Sequence, residues 1–202
     1  MKYLGRNSSL ANFYLFYYTL IINITIYIKI FYYKVILLKR KVIKMNIRTV
    51  QESDYTEVIT EIDAWWGGRH MSDMLPRLFF KHFQNTSFIA EENDKIIGFL
   101  IGFISQSYLT EAYIHFIGVH PEYRKSGIAK ELYELFFNAA NKLGCTTVHS
   151  VTSPINKGSI AFHKKMGFEV EKGDNEIDGI SVTTNYDGNG GNRVLFIKEL
   201  LD

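Results

Sequence analysis

One cysteine, Cys145, in 202 residues leaves no internal disulfide framework and no cysteine-rich zinc site, and a lone thiol suits a reducing compartment. Six histidines are present, but none falls in an HExxH or similar spacing that would set two ligands on one face, so no metal is expected. Low-complexity tracts and internal repeats are also missing, as in an ordinary folded domain. Acid is absent from the first 44 residues, which hold eight Lys/Arg; the first carboxylate in the chain is Glu52. Residues 45–202 then carry 15 Lys/Arg against 21 Asp/Glu, a net of −6. That sign argues against a nucleic-acid partner and suits an enzyme that favours a cationic substrate.

The acid-free segment, residues 1–44, stands apart. No charge occurs between Asn7 and Ile28, a run long enough for a membrane span, and Lys39, Arg40, Lys41 and Lys44 follow it. The positive-inside rule would then place the rest of the chain in the cytoplasm, as a single-pass anchored protein. A competing reading is that Met45, which opens "MNIRTVQESDYTEV", is the natural start and that the Ile/Tyr/Lys/Phe/Asn-rich stretch before it is not translated. On that reading residues 45–202 are a cytoplasmic protein.

Within 45–202 the hydrophobic pattern predicts a first strand at "NIRTV" and a helix capped by Ser53 or Asp54 that runs to about Trp66. "WWGGRH" breaks it, and "SDMLPRLFFKHF" (72–83) reads as a second helical segment. Two strands, "TSFIAEE" and "KIIGFLIGFI", flank an Asn93-Asp94 turn, and "AYIHFIGVH" is a third strand of the same sheet. A loop, a helix to about Leu143, the strand "TTVHSVTS", a short helix "NKGSIAFHKKM", the strand "FEVE", a long polar loop and the strand "RVLFIKEL" complete the chain. Mixed hairpins and crossovers of this kind give an α/β (α+β) sheet domain.

The loop after the third strand, "YRKSGIAKEL", opens directly into a helix, where unpaired N–H groups and the helix dipole suit an anion. It lacks the lysine and hydroxyl residue of a GxxxxGKS/T loop. Its glycines, Gly118 and Gly127, are too far apart for a GxGxxG dinucleotide fingerprint. What remains is Arg124-x-x-Gly127-x-Ala129, with Lys125 and Ser126 alongside and Ile128 on the buried face.

"VHPEYRKSGIAKELYELF" resembles the acetyl-CoA-binding motif of the GNAT superfamily of N-acetyltransferases, Gln/Arg-x-x-Gly-x-Gly/Ala after a strand. Downstream, "NKGSIAFHKKMGFE" is similar to that superfamily's Asn-x-x-Ala/Ser-x-x-x-Tyr-x-x-x-Gly-Phe, with Asn156, Ser159, Gly167 and Phe168 in place. The resemblance covers Met45 to Asp202. It implies a mixed, mostly antiparallel central sheet flanked by helices, and direct transfer of an acetyl group from acetyl-CoA to an amine. It also implies that the backbone at Ile117, Gly118 and Val119 meets the pantetheine arm, while residues 124–129 with Asn156 and Ser159 bind the rest of the cofactor. His163 stands where the superfamily usually has a tyrosine acid, so His163 is either a proton donor or a packing residue. The missing tyrosine also leaves open a non-catalytic acyl-CoA-binding domain on the same fold. Dimerisation is common in the superfamily, and no interface is legible in this chain.

Glu111 and His115 are candidates for the base, because residues 111, 113 and 115 share one face of an extended strand. Trp65, Trp66, Arg69 and Tyr113 are candidates for the acceptor wall, Arg69 as the reader of a carboxylate if the acceptor is an amino acid. His120, His149 and Cys145 read as non-catalytic. The acidic stretch 173–192 would suit a cationic acceptor, whether a small molecule or a peptide amine; it begins like a calcium loop, but Asn185 stands where a bidentate Glu is needed.

Overall fold

A computed structural model describes residues 7–39 and 45–200. The chain divides into two compact units, Met1–Lys44 and Met45–Asp202. The first holds one helix, α1 (Asn7–Lys39), whose described side chains between Tyr14 and Tyr32 are exposed and mostly apolar. Among the described residues no helix is long and apolar enough to cross a membrane, so the expected span finds no support. Arg40, Lys41 and Lys44, whose charge would set its orientation, lie outside the described residues.

The second unit is a mixed α/β domain built on a seven-stranded sheet. Its strands are β1 (Asn46–Thr49), β2 (Phe88–Glu92), β3 (Lys95–Ile104), β4 (Glu111–Val119), β5 (Thr147–Thr152), β6 (Glu169–Val170) and β9 (Val194–Glu199), in the order β1-β2-β3-β4-β5-β9-β6. All neighbours are antiparallel except β4 and β5. Helices α2 (Asp54–Trp65) and α3 (Leu78–His82) pack on one face, through Val58, Ile62, Trp65 and Phe80 against Ile89, Phe99, Ile101 and Phe116. Helices α4 (Ile128–Lys142) and α5 (Lys157–Lys165) belong to the other face.

Strand alternation explains how one strand serves both layers. Along β3, Phe99 and Ile101 face α2, while Gly98 and Gly102 face α4. A Cβ at Gly98 would lie 2.9 Å from Ile128 Cγ2, and one at Gly102 would lie 2.3 Å from the Phe136 ring. These two glycines form a trough in which α4 lies unusually close to the sheet.

Arg48 closes the other layer. It makes a bidentate pair with Asp54 at 2.7 and 2.8 Å and also bonds Glu91, joining β1, α2 and β2. Asp54 additionally accepts from the Gln51 N–H at 2.7 Å, whereas Ser53 caps α2 with no side-chain bond. Of the two expected caps, Asp54 therefore does the work, from the first helical position.

Two expectations are corrected. Residues 72–83 are not one helix: a 3-10 turn at Ser72–Met74 gives way to an extended Leu75 (φ −129°, ψ 67°) before Pro76, and only Leu78–His82 is α-helical. Proline disfavours helical geometry in the residue before it, and that cost splits the segment. The polar stretch 173–192 is not all loop. It contains a two-stranded hairpin, β7 (Asn175–Ile177) and β8 (Ile180–Val182), turned by Asp178 and Gly179 at φ 51° and 75°. The turn needs left-handed residues, and Asp-Gly supplies them.

The trough makes a specific demand on volume. Gly102→Ala is expected to destabilise the domain by about 1–3 kcal/mol in urea unfolding. The loss should shrink in a Phe136→Leu background, where the ring it meets is gone; an equal loss in both backgrounds would disprove the close approach.

Candidate active site

The site begins where β4 and β5 stop pairing. Their parallel ladder runs only from Glu111↔Thr147 to Ile114↔Ser150, although β4 continues to Val119 and β5 to Thr152. The cause lies on the other edge of β4. Ile101 pairs with Phe116 and Gly102 with Ile114, so His115 is the extra residue of a β-bulge, which bends the strand.

Beyond the bulge, the His120 N–H bonds the Ile97 carbonyl at 2.9 Å. Alternation along an antiparallel ladder then directs the backbone groups of Gly118 and Phe116 toward β3, and those of Ile117 and Val119 toward the open side. The expected stretch Ile117–Val119 thus supplies two amides to the cleft rather than three. Gly118 has another reason to be glycine: a Cβ there would meet Phe99 at 2.6 Å and Trp66 Cη2 at 2.9 Å.

The loop between β4 and α4 turns through two left-handed residues, Lys125 (φ 66°) and Gly127 (φ 105°). Ser126 Oγ donates to the Tyr123 carbonyl at 2.6 Å and closes the turn. The first intrahelical bond of α4 is Glu131 N–H to the Gly127 carbonyl, at 3.1 Å. The N–H groups of Gly127, Ile128, Ala129 and Lys130 are therefore left for another acceptor. Among the described residues, and apart from its chain neighbours, no atom lies within 4 Å of a Cβ built on Gly127, so the row of amides is open to a ligand. Arg124 does not point there: its guanidinium donates to the carbonyls of Trp65 and Val119 and ties the loop to the end of α2.

The second motif builds α5. Asn156 is its N-cap, with its side-chain oxygen accepting from the Ser159 N–H at 3.2 Å. Gly167 ends the helix at φ 83°, and Phe168 is buried against the Tyr133 ring. His163 is 3% exposed and stacks on Phe196 at 4.4 Å with the rings nearly parallel. Its Nδ1 lies 2.8 Å from the Ser159 carbonyl and so carries the proton, which makes Nε2 an acceptor for the Tyr133 hydroxyl at 3.0 Å. Burial pulls its pKa below the ordinary histidine value, partly offset by the Ser159 carbonyl.

Partial burial likewise pulls the His115 pKa below the ordinary histidine value, partly offset by the Met74 carbonyl. Its Nε2 donates to the Met74 carbonyl at 2.7 Å and its ring stacks on Phe79 at 4.2 Å, so it fastens the 72–83 segment to β4. Trp65 is a core residue, packed on Phe99 and His120. Trp66 is half-buried, edge-on to Phe116 at 5.4 Å. Arg69 is exposed and donates to the Trp66 carbonyl at 3.4 Å. Tyr113 stacks on Phe103 at 5.4 Å.

Glu111 and Tyr113 line a cavity of about 330 Å³ that reaches Ser150 and Val151, at the point where β4 and β5 part. Three of its other residues, His149, Glu171 and Tyr186, were not singled out as site residues from sequence. They come together only through the pairing of β5 with β9 and the return of the 173–192 segment, which no linear spacing encodes. Among the described residues no group of three His, Cys, Asp or Glu could hold a metal ion.

Comparisons with known proteins identify the family and the fold. The sequence model of the Acetyltransferase (GNAT) family matches residues 51–168. An acetyltransferase of Pectobacterium atrosepticum is 28% identical over 130 residues, spanning 62% of this chain and 88% of that protein. Among solved structures, Ard1 of Thermoplasma volcanium superposes with a TM-score of 0.63 at 17% identity, covering 78% of this chain and 99% of that one. Diaminobutyrate acetyltransferase of Paenibacillus lautus, solved with L-2,4-diaminobutyric acid and coenzyme A, gives 0.56 at 20% identity, covering 78% and 95%.

Two histidines whose pKa burial lowers, the buried His163 and the half-buried His115, make stability depend on pH. The unfolded chain takes up protons near pH 6.5, where folded His163 and His115 remain neutral, so the unfolded state binds more protons and stability falls as pH drops below that value. His163→Phe is expected to flatten part of this slope in urea unfolding between pH 8 and pH 5.5. It also strands the Tyr133 hydroxyl, at a pH-independent cost of about 1–3 kcal/mol. A variant with the full wild-type slope would show that His163 is not buried neutral. The cleft, the open amide row and the family match lead to one conclusion: the chain belongs to the Acetyltransferase (GNAT) family.

Proposed function

We propose that residues 45–202 transfer the acetyl group of acetyl-CoA to an amine held at the divergence of β4 and β5. The N–H groups of Gly127, Ile128, Ala129 and Lys130, with Lys125 and Ser126 beside them, would hold the pyrophosphate. Four amides at a helix start beside open space are the observation that carries this reading. The Ile117 backbone and the Val119 N–H would pair with the pantetheine arm much as a missing strand would, the Val119 carbonyl being engaged by Arg124. One of these amides would donate to the thioester carbonyl, a contribution of about 2.7–4 kcal/mol where such donors have been removed. Arg124, Asn156 and Ser159 serve by fixing the loop and α5.

In the reaction the amine nitrogen forms a bond to the acetyl carbon and the carbon–sulfur bond breaks, leaving an amide and the coenzyme thiol. The attacking amine must first lose a proton, and Glu111, on the cavity wall, is its proposed acceptor. His115 is spoken for by Met74 and Phe79, and its role is to position the bulge. His163 directs no N–H at the cleft, so the leaving thiolate takes its proton from water and His163 packs the core. Trp66 would border the acceptor side, and Trp65 supports it from the core. The single thiol, Cys145, is free and buried, which suits a cytoplasmic enzyme.

Calorimetric titration with acetyl-CoA, with ATP and NAD as controls, tests the carrying observation. The wild-type chain is expected to bind acetyl-CoA selectively. Gly127→Glu, which sets a side chain in a strained left-handed backbone and a negative charge on the amide row, should abolish binding. Unchanged affinity in that variant would refute the assignment of the loop.

A further inference from the structure

We propose that the acceptor is a linear diamine or polyamine carrying no carboxylate, bound in the aromatic-walled cavity beneath the β4–β5 divergence. This rests on the acetyltransferase reading above and names the substrate class of the same site. Three features of the cavity support it independently.

The first is its wall. Phe103, Tyr108, Tyr113 and Tyr186 contribute aromatic surface, which suits a methylene chain and attracts a cation through the ring faces. Tyr186 comes from the 173–192 segment, so that excursion helps to shape the cavity rather than only skirting the surface.

The second is the charge around it. Glu111 and Glu171 flank His149, at 3.7 Å from Nε2 and 3.5 Å from Nδ1. Among the described residues no lysine or arginine lines the cavity. Arg193, which is near enough to act on Tyr113, is engaged by Asp187 at 2.6 Å and by the Asn192 carbonyl at 3.0 Å. Arg69, the expected reader of an acceptor carboxylate, is not among the lining residues. An amino acid would thus bring its carboxylate to a place that offers carboxylates and no free guanidinium, an unfavourable juxtaposition. An ammonium group meets the opposite situation.

The third is spacing. Glu111 and Glu171 stand on opposite ring nitrogens of His149, so the cavity offers two carboxylates separated by one imidazole ring. A distal ammonium held at Glu171 would place a second amine, at the other end of a flexible chain, beside Glu111, its proposed proton acceptor. A monoamine could occupy one end but not both, and so would lose the anchoring contact.

The test uses the purified full chain. Acetyl-CoA affinity is measured by calorimetry, and coenzyme thiol release is followed with 1,4-diaminobutane, spermidine, L-lysine and a short peptide with a free N-terminus. The expected result is acetyl-CoA binding, with kcat/KM for diaminobutane or spermidine at least tenfold above lysine and the peptide. Glu171→Gln should raise KM for the preferred amine tenfold or more, with acetyl-CoA affinity intact, and Tyr186→Ala should act in the same direction. If acetyl-CoA binds but lysine or the peptide is used equally well or better, or if neither variant changes KM, or if no amine in the set is acetylated, this inference is overturned and the cofactor assignment stands. Failure to bind acetyl-CoA overturns the acetyltransferase reading, and this inference with it.

Discussion

The four-residue limit on parallel pairing between β4 and β5 is the constraint on which the site depends. A sheet that stayed paired to the ends of both strands would satisfy its backbone internally and leave nothing for a ligand to bind. The His115 bulge bends β4 on its β3 side, so that the far half of the strand keeps its partner on one edge and loses it on the other. Backbone amides normally consumed by a neighbour are thereby held rigidly at the surface. Rigidity matters here, because a donor that is already oriented requires no reorganisation when charge develops beside it.

The rest of the domain reads as support for that opening. On one face, α2 and the 72–83 segment brace the bulge through Trp66, Phe79 and the Met74 carbonyl. On the other, α4 lies in the trough made by Gly98 and Gly102. Arg124, a residue whose charge suggests a role in anion binding, instead tethers the loop by two backbone carbonyls. Charge type alone does not tell a ligand contact from a structural clasp, because a guanidinium satisfies either acceptor.

Much of this was legible in the chain. Strand and helix order follow from hydrophobic periodicity, and the two motifs place the cofactor loop and α5 because each is local: a cap, a left-handed residue and a helix start lie within a dozen positions. Features that depend on pairing were not. The bulge at His115 is a property of register between two strands, and "EAYIHFIGV" alternates as though it were regular. The pair Gly98 and Gly102 reads as two weak strand residues until α4 is seen against them. His163 occupies a motif position whose usual residue would invite a catalytic role. Only its stacking on Phe196 and its bond from Tyr133 reveal that it belongs to the core.

The trough beneath α4 has a consequence for how the protein would respond to its donor. The amide row at the start of α4 and the Ile128, Leu132 and Phe136 side chains that sit over β3 are parts of one rigid rod. An anion captured at the tip therefore acts on the packing of the whole central layer, not on a surface loop alone. Saturation to a hundred times the dissociation constant would add about 2.7 kcal/mol to the free energy of unfolding. The melting temperature of the domain thus becomes a gauge of how much of the donor site is filled, readable before any acceptor is known.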